Sequence, residues 1–538
     1  MGRALALTSL LALAATPSTL AAAPASAPST HPNILCITVE DISPRLGCYG
    51  DTVARTPVLD RLARDGVRFT RMFSVAGVCA PSRAALITGM YPTAIGADFM
   101  RTSQEGVPGI QPYEVVPPPQ VRPFTEYLRA AGYYTTNNAK TDYQFSSPIT
   151  AWDENGPEAH WRHRPDGMPF FAIVNIFTTH ESQVWQRADE PFIVRPEEVS
   201  VPPYLPDTPA VRRDVARVYT NIALMDRRVG ELLDELDQAG LADDTIVIWY
   251  SDHGGPLPRE KRQIRDSGLL VPFIMRFPQG EHAETVDGEL ASFVDIPATI
   301  LSLAGVKVPA YMQGRPFWGA QKASPRQYIF AARDRMDRQY DAARAVRDKR
   351  FEYIRNYKPG AAAYLDVAYR KQMASMQELL RLRDLRQLDP IQSLWFRAPR
   401  PVEELYDTVV DPFEVHDLAR DAAYGQVRER LSGALDAWLQ QTEDAPLRPE
   451  RDVVESMWPG GKQPTTAAPV VKAKDGRVTI TCPTEGAAMA YQIDGRGLRP
   501  DHWLLYSGPF DAQAGARVTA VAIRVGYQQS QATELIVR

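Results

Sequence analysis

The sequence predicts an α/β protein: a large, mixed but mostly parallel sheet sandwiched by helices, then a smaller α+β subdomain and an appended small β-sandwich. Three observations predict it. Unbroken apolar runs recur at Asn33–Val39 (NILCITV), Phe170–Phe177 and Thr245–Tyr250 (TIVIWY), and such runs suit strands buried on both faces. Helical patterns lie between the runs, the alternation that builds a parallel sheet covered by helices. From Pro469 the pattern changes to short strands (VVKAKD, RVTITCP, AAMAYQIDG, RVTAVAIRVG), which reads as a small sandwich.

Each element has its own signal. Met1–Arg3 carries one positive charge, Ala4–Ala15 is apolar, and Thr16–Ser29 is rich in small residues. This is the layout of a signal peptide at 1–29, with an apolar core too short to span a bilayer. The first strand ends at Glu40-Asp41. A helix is expected over Thr56–Gly66, with Pro57 in its first turn and Leu59 and Leu62 on one face. Val78–Gly89 (VCAPSRAALITG) reads as a helix with Pro81 near its start and Gly89 at its end. Phe124–Ala131 is a short helix stopped by Gly132. Val211–Ala239 carries Val215, Val218, Ile222, Met225, Val229, Leu232 and Leu236 at helical spacing, closed by Gly240.

The catalytic-type α/β unit is expected over 30–344 and the α+β subdomain over 345–445, with a hairpin at Ala345–Tyr357 and a helix at Val427–Leu439. A Pro/Gly/Thr-rich linker is expected at 446–468 and the sandwich at 469–538. The sandwich resembles the small domain appended to hexosaminidases and other glycan enzymes. Only Trp503 and Tyr506 offer it an aromatic platform, so packing on the catalytic unit is its expected role.

The formal net charge is −5 over 538 residues. That argues against a nucleic-acid-binding surface, which needs a basic patch. Of the four cysteines, Cys36 and Cys48 either pair or serve as small buried hydrophobes.

In open α/β sheets, ligands bind beyond the carboxyl ends of the strands. Glu40, Asp41, His180, Asp252 and His253 all fall there. Cys79 is placed at a helix N-terminus, where exposed N–H groups favour a thiolate. Arg83 lies one turn further on, within reach of it.

Cys79-Ala80-Pro81-Ser82-Arg83 and the helix that follows resemble the C-x-P-S-R signature of type I sulfatases, in the alkaline phosphatase-like superfamily. The likeness runs from residue 31 to about 445, and the Pro-x-Pro spacing after Asp252 (DHGGPLPREK) is similar to the heparan N-sulfatase (sulfamidase) branch. It implies that Cys79 is oxidised to formylglycine by a formylglycine-generating enzyme. The hydrated aldehyde then acts as a covalent nucleophile toward sulfur. It implies one divalent cation, Ca2+, held by Glu40, Asp41, Asp252, His253 and the oxygen at position 79. Glu40 stands where Asp is commoner, and His253 is either a direct ligand or a support for one. By the same likeness Arg83 belongs to the catalytic group, His180 is the general acid, and Lys140 and Lys261 bind sulfate oxygens. The Lys140 segment (NNAKTDY) departs from the family's G-K-x-H, with Ala139 for Gly and Asp142 for His. Arg262 competes with Lys261, either of them otherwise being solvated.

The function implied is hydrolysis of a sulfuric ester or sulfamate on a sulfated saccharide, of heparin or heparan type, by a secreted or periplasmic protein. The alternatives are a phosphate or phosphonate ester hydrolase on the same fold, and a non-catalytic glycan-binding protein. Arg333-Asp334-Arg335 is expected as a surface salt-bridge cluster. The Pro-rich stretch Val107–Pro123 is expected along the pocket.

Overall fold

The computed structural model describes residues 31–104, 106–494 and 502–538. The expected signal peptide lies outside the described residues, as does Gly495 of the expected AAMAYQIDG strand.

The main unit begins with β1 (Asn33–Val39), α1 (Pro57–Arg64), β2 (Val67–Phe73) and α2 (Cys79–Thr88). It continues with α3 (Phe124–Ala130), β3 (Tyr134–Asn138), β4 (Glu154–Asn155) and β5 (Phe170–Ile176). The long α4 (Pro209–Gln238), β6 (Thr245–Ser251), β7 (Leu270–Arg276), β8 (Thr285–Asp287), β9 (Ala291–Ser292) and α5 (Asp295–Leu303) complete it. The sheet order is β4-β3-β5-β1-β6-β7-β2-β8, with β9 beside β2. Strands β4, β3, β5, β1 and β6 run parallel. Only β7 reverses, antiparallel to both β6 and β2, so the sheet is mixed and mostly parallel.

The pleat of β1 explains its unbroken apolar sequence. Ile34 and Cys36 point into one core, while Leu35, Ile37 and Val39 point into the other. The first core is closed by residues of α2, α3 and α5, the second by the inner stripe of α1 and α4. Thr208 caps α4 by accepting from the Val211 N–H. Gly240, at φ +67, lets the chain turn back into β6.

Register sets where the strands stop. Val39 pairs with Ile176 of β5 and with Ser251 of β6. The three central strands therefore end level, and the residues after them emerge together.

An antiparallel sheet, β10 (Ile329–Arg333), β11 (Ala343–Arg347), β12 (Phe351–Asn356) and β13 (Glu403–Asp407), carries α6 (Gly425–Thr442). Its first strand lies before residue 345, because Ile329–Arg333 finds its partner only in β11. Phe330 stacks on Trp438 of α6, with ring centroids 4.9 Å apart. The stretch 446–468, expected as a linker, carries α7 (Glu450–Met457). Val454, Met457 and Trp458 pack into the first core. The Glu450 carboxylate accepts from Arg335, Tyr113 and Tyr340.

The last part forms two sheets. One holds β14 (Val470–Lys474), β15 (Arg477–Thr481) and β18 (Phe510–Asp511). The other holds β16 (Ala488–Ile493), β17 (Leu504–Leu505), β19 (Arg517–Ile523) and β20 (Thr533–Ile536). They enclose Val478, Ile480, Ile493, Val518 and Val537. This part sits on residues 115–119: a Cβ on Gly526 would collide with the Val115 carbonyl oxygen, and one on Gly486 with that of Pro119. Both glycines have positive φ. The Arg129 guanidinium donates to the Trp503 carbonyl at 2.7 Å, and His502 Nε2 lies 3.0 Å from Asp153 Oδ1. All four cysteines are free thiols, which resolves the Cys36–Cys48 alternative against a pair. Among the described residues no helix is long and apolar enough to cross a membrane.

Candidate functional site

The level strand ends bring the chemistry together. Glu40 and Asp41 leave β1, His180 follows β5, and Asp252 and His253 leave β6. Cys79 opens α2, after an extended Val78, so its side chain faces this edge with free N–H groups behind it. Ser82 anchors the helix by donating to the Asp252 carbonyl.

Arg83 organises the carboxylates. Its Nε donates to Asp252 Oδ2 at 3.1 Å, Nη2 to Glu40 Oε1 at 3.3 Å, and Nη1 to Asn175 Oδ1 at 2.7 Å. Lys140 Nζ is 2.7 Å from Glu40 Oε2, and Lys261 Nζ is 2.7 Å from Asp41 Oδ2. Lys261 also lies 3.3 Å from Glu181. Arg262, the competitor for its role, is buried and committed to a two-pronged pair with Glu181, at 2.9 and 2.7 Å. The insertion of Glu181 between the two cations separates them, and only Lys261 lines the cavity.

That cavity, of about 270 Å³, is lined by Cys79, Lys140, His180 and Lys261 together with Met100, Arg101, Gln104, Thr141 and Asp142. Asp142 lies 3.9 Å from Lys140.

Acidic and soft donors converge beneath it. One ligand atom from each of Glu40, Asp41, Cys79 and His180 falls within 4.8 Å of the others, as do those of Cys79, Asp252 and His253. Asp41 is fully buried and left-handed at φ +54, and its Oδ1 receives no hydrogen bond. That oxygen is 3.0 Å from His253 Nε2, without the alignment of a hydrogen bond. His253 Nδ1–H donates to the Gly254 carbonyl at 3.0 Å, which turns Nε2 toward Asp41 and Cys79, 3.4 Å from the sulfur.

The electrostatics divide the site: positive charge is favoured at His253 and disfavoured at His180, and negative charge is favoured at Cys79. Burial disfavours the His253 imidazolium, yet Asp252 and Asp41 outweigh it and push its pKa up to about 10. Burial would raise Asp41, but Lys261 and His253 hold it well below the usual carboxylate range. Glu40 moves the other way, its burial exceeding the pull of Lys140. Burial would raise the Cys79 thiol, and Lys140 and Lys261 bring it below its ordinary value. Burial and the neighbouring Lys261 push His180 down to about 4, so its imidazole is neutral at pH 7.

Every residue expected at the site is therefore at one place. Asn175 and Glu181, which hold Arg83, Lys261 and Arg262, carried no assignment in the sequence; the one hint was that Glu181 adjoins His180. Two expectations need correction. Arg333, Asp334 and Arg335 are buried and form no surface cluster: they pair with Asp341, Arg344 and Glu450. Val107–Pro123 does not line the cavity, because residues 115–119 are covered by the C-terminal sheets.

Comparison with known proteins gives concordant matches. A model of the sulfatase family matches residues 32–306, and one described as the C-terminal part of N-sulphoglucosamine sulphohydrolase matches 259–381. An ulvan-active sulfatase of Formosa agariphila is 44% identical, over 94% of this chain and 91% of its own. Human N-sulphoglucosamine sulphohydrolase is 27% identical, over 77% of this chain and 90% of its own. A structure solved with its substrate, D-glucosamine-2-N,6-O-disulfate, superposes with a TM-score of 0.56 at 16% identity, covering 78% of this chain and 99% of that one.

Proposed function

This chain belongs to the sulfatase family, and on that premise we propose that it releases sulfate from a sulfated polysaccharide or its fragments, with Cys79 converted to formylglycine and Ca2+ bound beside it. The observation that carries the reading is the convergence of Cys79, Lys140, His180 and Lys261 on one cavity over the Glu40, Asp41 and Asp252 carboxylates, two of which Arg83 holds. The donor set fits a hard cation: it offers carboxylate oxygens, one of them buried with no donor, in a place where a histidine is otherwise driven to take a proton. The residues to hold it are Glu40, Asp41, Asp252 and the group at position 79, with His253 Nε2 as a fifth or as a support.

Formylglycine supplies a hydrated aldehyde as nucleophile toward sulfur, and the cation supplies charge neutralisation for the sulfate oxygens. The chain's own residues do the rest. Arg83 fixes Glu40 and Asp252 in one plane of contacts and holds positive charge close to position 79. Lys140 and Lys261 face the cavity and bind sulfate oxygens, where their charge counts most as the sulfur–oxygen bond lengthens. His180, neutral in the empty cavity, takes up a proton when the anionic substrate binds beside it and raises its proton affinity, and it gives that proton to the departing oxygen or nitrogen.

A polysaccharide of the ulvan kind is favoured over the heparin type, because the relative named ulvan-active shares 44% identity against 27% for the N-sulphoglucosamine enzyme. Export to the periplasm or medium and maturation by a formylglycine-generating enzyme belong to the same proposal. The test is sulfate release from ulvan, heparin and chondroitin fragments by protein co-expressed with such an enzyme, beside Cys79→Ala. Release from one class that is absent in the variant is expected. No release from any, with formylglycine verified by mass, would overturn the reading.

A further inference from the structure

One cationic side chain of the cavity pairs with none of the site carboxylates. Arg101 lines the same space as Cys79, Lys140 and His180. Its guanidinium lies over the Tyr369 ring, 5.2 Å from the centroid, and its Nε is 3.6 Å from Asp337 Oδ1. Among the described residues it makes no closer polar contact. Asp337 is also 3.6 Å from Arg262 Nε, so it offsets only part of either charge. The planar face of Arg101 is held while its N–H fork stays uncommitted, the state of a side chain ready for an oxyanion.

The backbone presents it rigidly. The Met100 N–H donates to the Arg335 carbonyl at 2.9 Å, and Arg335 donates back to the Met100 carbonyl at 2.8 Å. On the other side the Thr102 N–H donates to Gln144 Oε1 at 3.2 Å, and the Thr102 carbonyl accepts from Tyr113. Arg101 itself sits at φ +58, a left-handed conformation that a non-glycine residue keeps only when its neighbours impose it. Beside His180, the Phe177 ring is 49% exposed and stacked on the imidazole with centroids 4.6 Å apart. An exposed aromatic face next to the leaving-group acid suits the flat side of a sugar ring.

We propose that Arg101 is a second anion site of the substrate cavity, taking a carboxylate or a further sulfate on the saccharide that carries the scissile sulfate, with the ring of Phe177 as its stacking face. The proposal rests on the sulfatase reading above and names the substrate class within it: a saccharide with two anionic groups, of which only one is removed.

The experiment compares kcat/KM on three forms of the saccharide the enzyme accepts: native, carboxyl-reduced, and stripped of its non-scissile sulfates. The wild type is expected to prefer native over one modified form by about 10–100-fold, the range of a charge-assisted pair. In Arg101→Ala that preference is expected to collapse, mostly through KM, with Arg101→Lys between the two. Collapse on the carboxyl-reduced arm identifies a carboxylate, and on the desulfated arm a sulfate. Equal loss on all three forms, or no loss on any, overturns the proposal. The same comparison by calorimetric titration of Cys79→Ala protein reads binding without turnover. A wild type that releases no sulfate from any form defeats the sulfatase reading instead, which keeps the two failures apart.

Discussion

The Ser182 backbone N–H donates to Nδ1 of His180, 3.3 Å away, which places the ring proton of the neutral imidazole on Nε2. Nε2 is thus the ring position left to donate to a leaving group, once the anionic substrate has raised the imidazole's proton affinity. His180→Ala is therefore expected to lower kcat/KM on a sugar sulfate by about 10²–10⁴-fold. On 4-nitrophenyl sulfate, whose phenolate leaves without help, the loss is expected to be under about tenfold. Parallel assays of the two substrates read the difference. Equal losses would place His180 in binding or structure.

Asp41 Oδ1 without a donor and His253 with its raised pKa both call for a cation between them. Dialysis against a chelator is expected to abolish turnover, with recovery on adding Ca2+. Saturating Ca2+ at about 100 times Kd adds about 2.7 kcal/mol of stability, seen as a rise of a few degrees in Tm. Asp252→Asn is expected to lose both responses. Full activity after verified removal of all divalent metal would refute the site.

Arg83 touches Asp252, Glu40 and Asn175 at once, a geometry that a lysine cannot copy. Arg83→Lys is expected to cut turnover by at least about 10²-fold, in the range seen for loss of one preorganised donor. Arg83→Met also strands two buried carboxylates, at a cost of about 3–5 kcal/mol in a denaturant melt.

A pH effect is expected from carboxyl groups that do not line the cavity. Glu352 on β12 is buried beside Glu414 and Asp266, and neither of its oxygens receives a hydrogen bond. Burial first, and then the Glu414 charge, raises its pKa well above 4.5. Glu414 is raised as well, and Arg347, Arg265 and Arg259 only partly offset the pair. A carboxyl group raised in the folded state contributes stability that is whole below its unfolded pKa and lost as pH climbs through the folded one. Glu352→Gln removes that loss. Its Tm relative to wild type is expected to rise as pH climbs above the ordinary carboxylate range, each tenfold change in proton affinity between the folded and unfolded states being worth about 1.4 kcal/mol. A Tm difference that stays flat over that climb would contradict it.

Arg129 holds Asp153 at 2.7 Å and the Trp503 carbonyl at 2.7 Å. Arg129→Ala leaves Asp153 with His502 and Thr135 as its remaining side-chain partners. A loss of about 3 kcal/mol is expected, together with faster proteolysis near residue 465. An unchanged digestion pattern would show that the apolar contact alone holds the C-terminal sheets.

How far these features could be read beforehand depended on whether they were local. The β1, β5 and β6 runs announce themselves because burial on both faces requires apolar residues at every position. Cys79, Arg83 and Pro81 belong to one helical turn, so their relation is set by spacing. Asp252 and His253 follow a strand that could be recognised, but that they meet Glu40 and Asp41 depends on Val39 pairing with both Ile176 and Ser251, and no local pattern carries that register. The burial of Arg333–Arg335 was illegible for a like reason. Charged residues read as surface until their partners, Asp341, Arg344 and Glu450, are brought from elsewhere in the chain. Helix α7 was hidden in a stretch whose prolines and glycines spoke for a linker.

The two glycines that admit the peptide groups of Val115 and Pro119 bear on how this enzyme can be engineered. A gene shortened before residue 465 would leave those peptide groups, and the apolar side chains around them, facing water. A smaller catalyst of this kind must therefore be given a substitute cover over that segment, and insertion libraries will find more tolerance at the exposed Val409–Val410 turn than at residues 115–119.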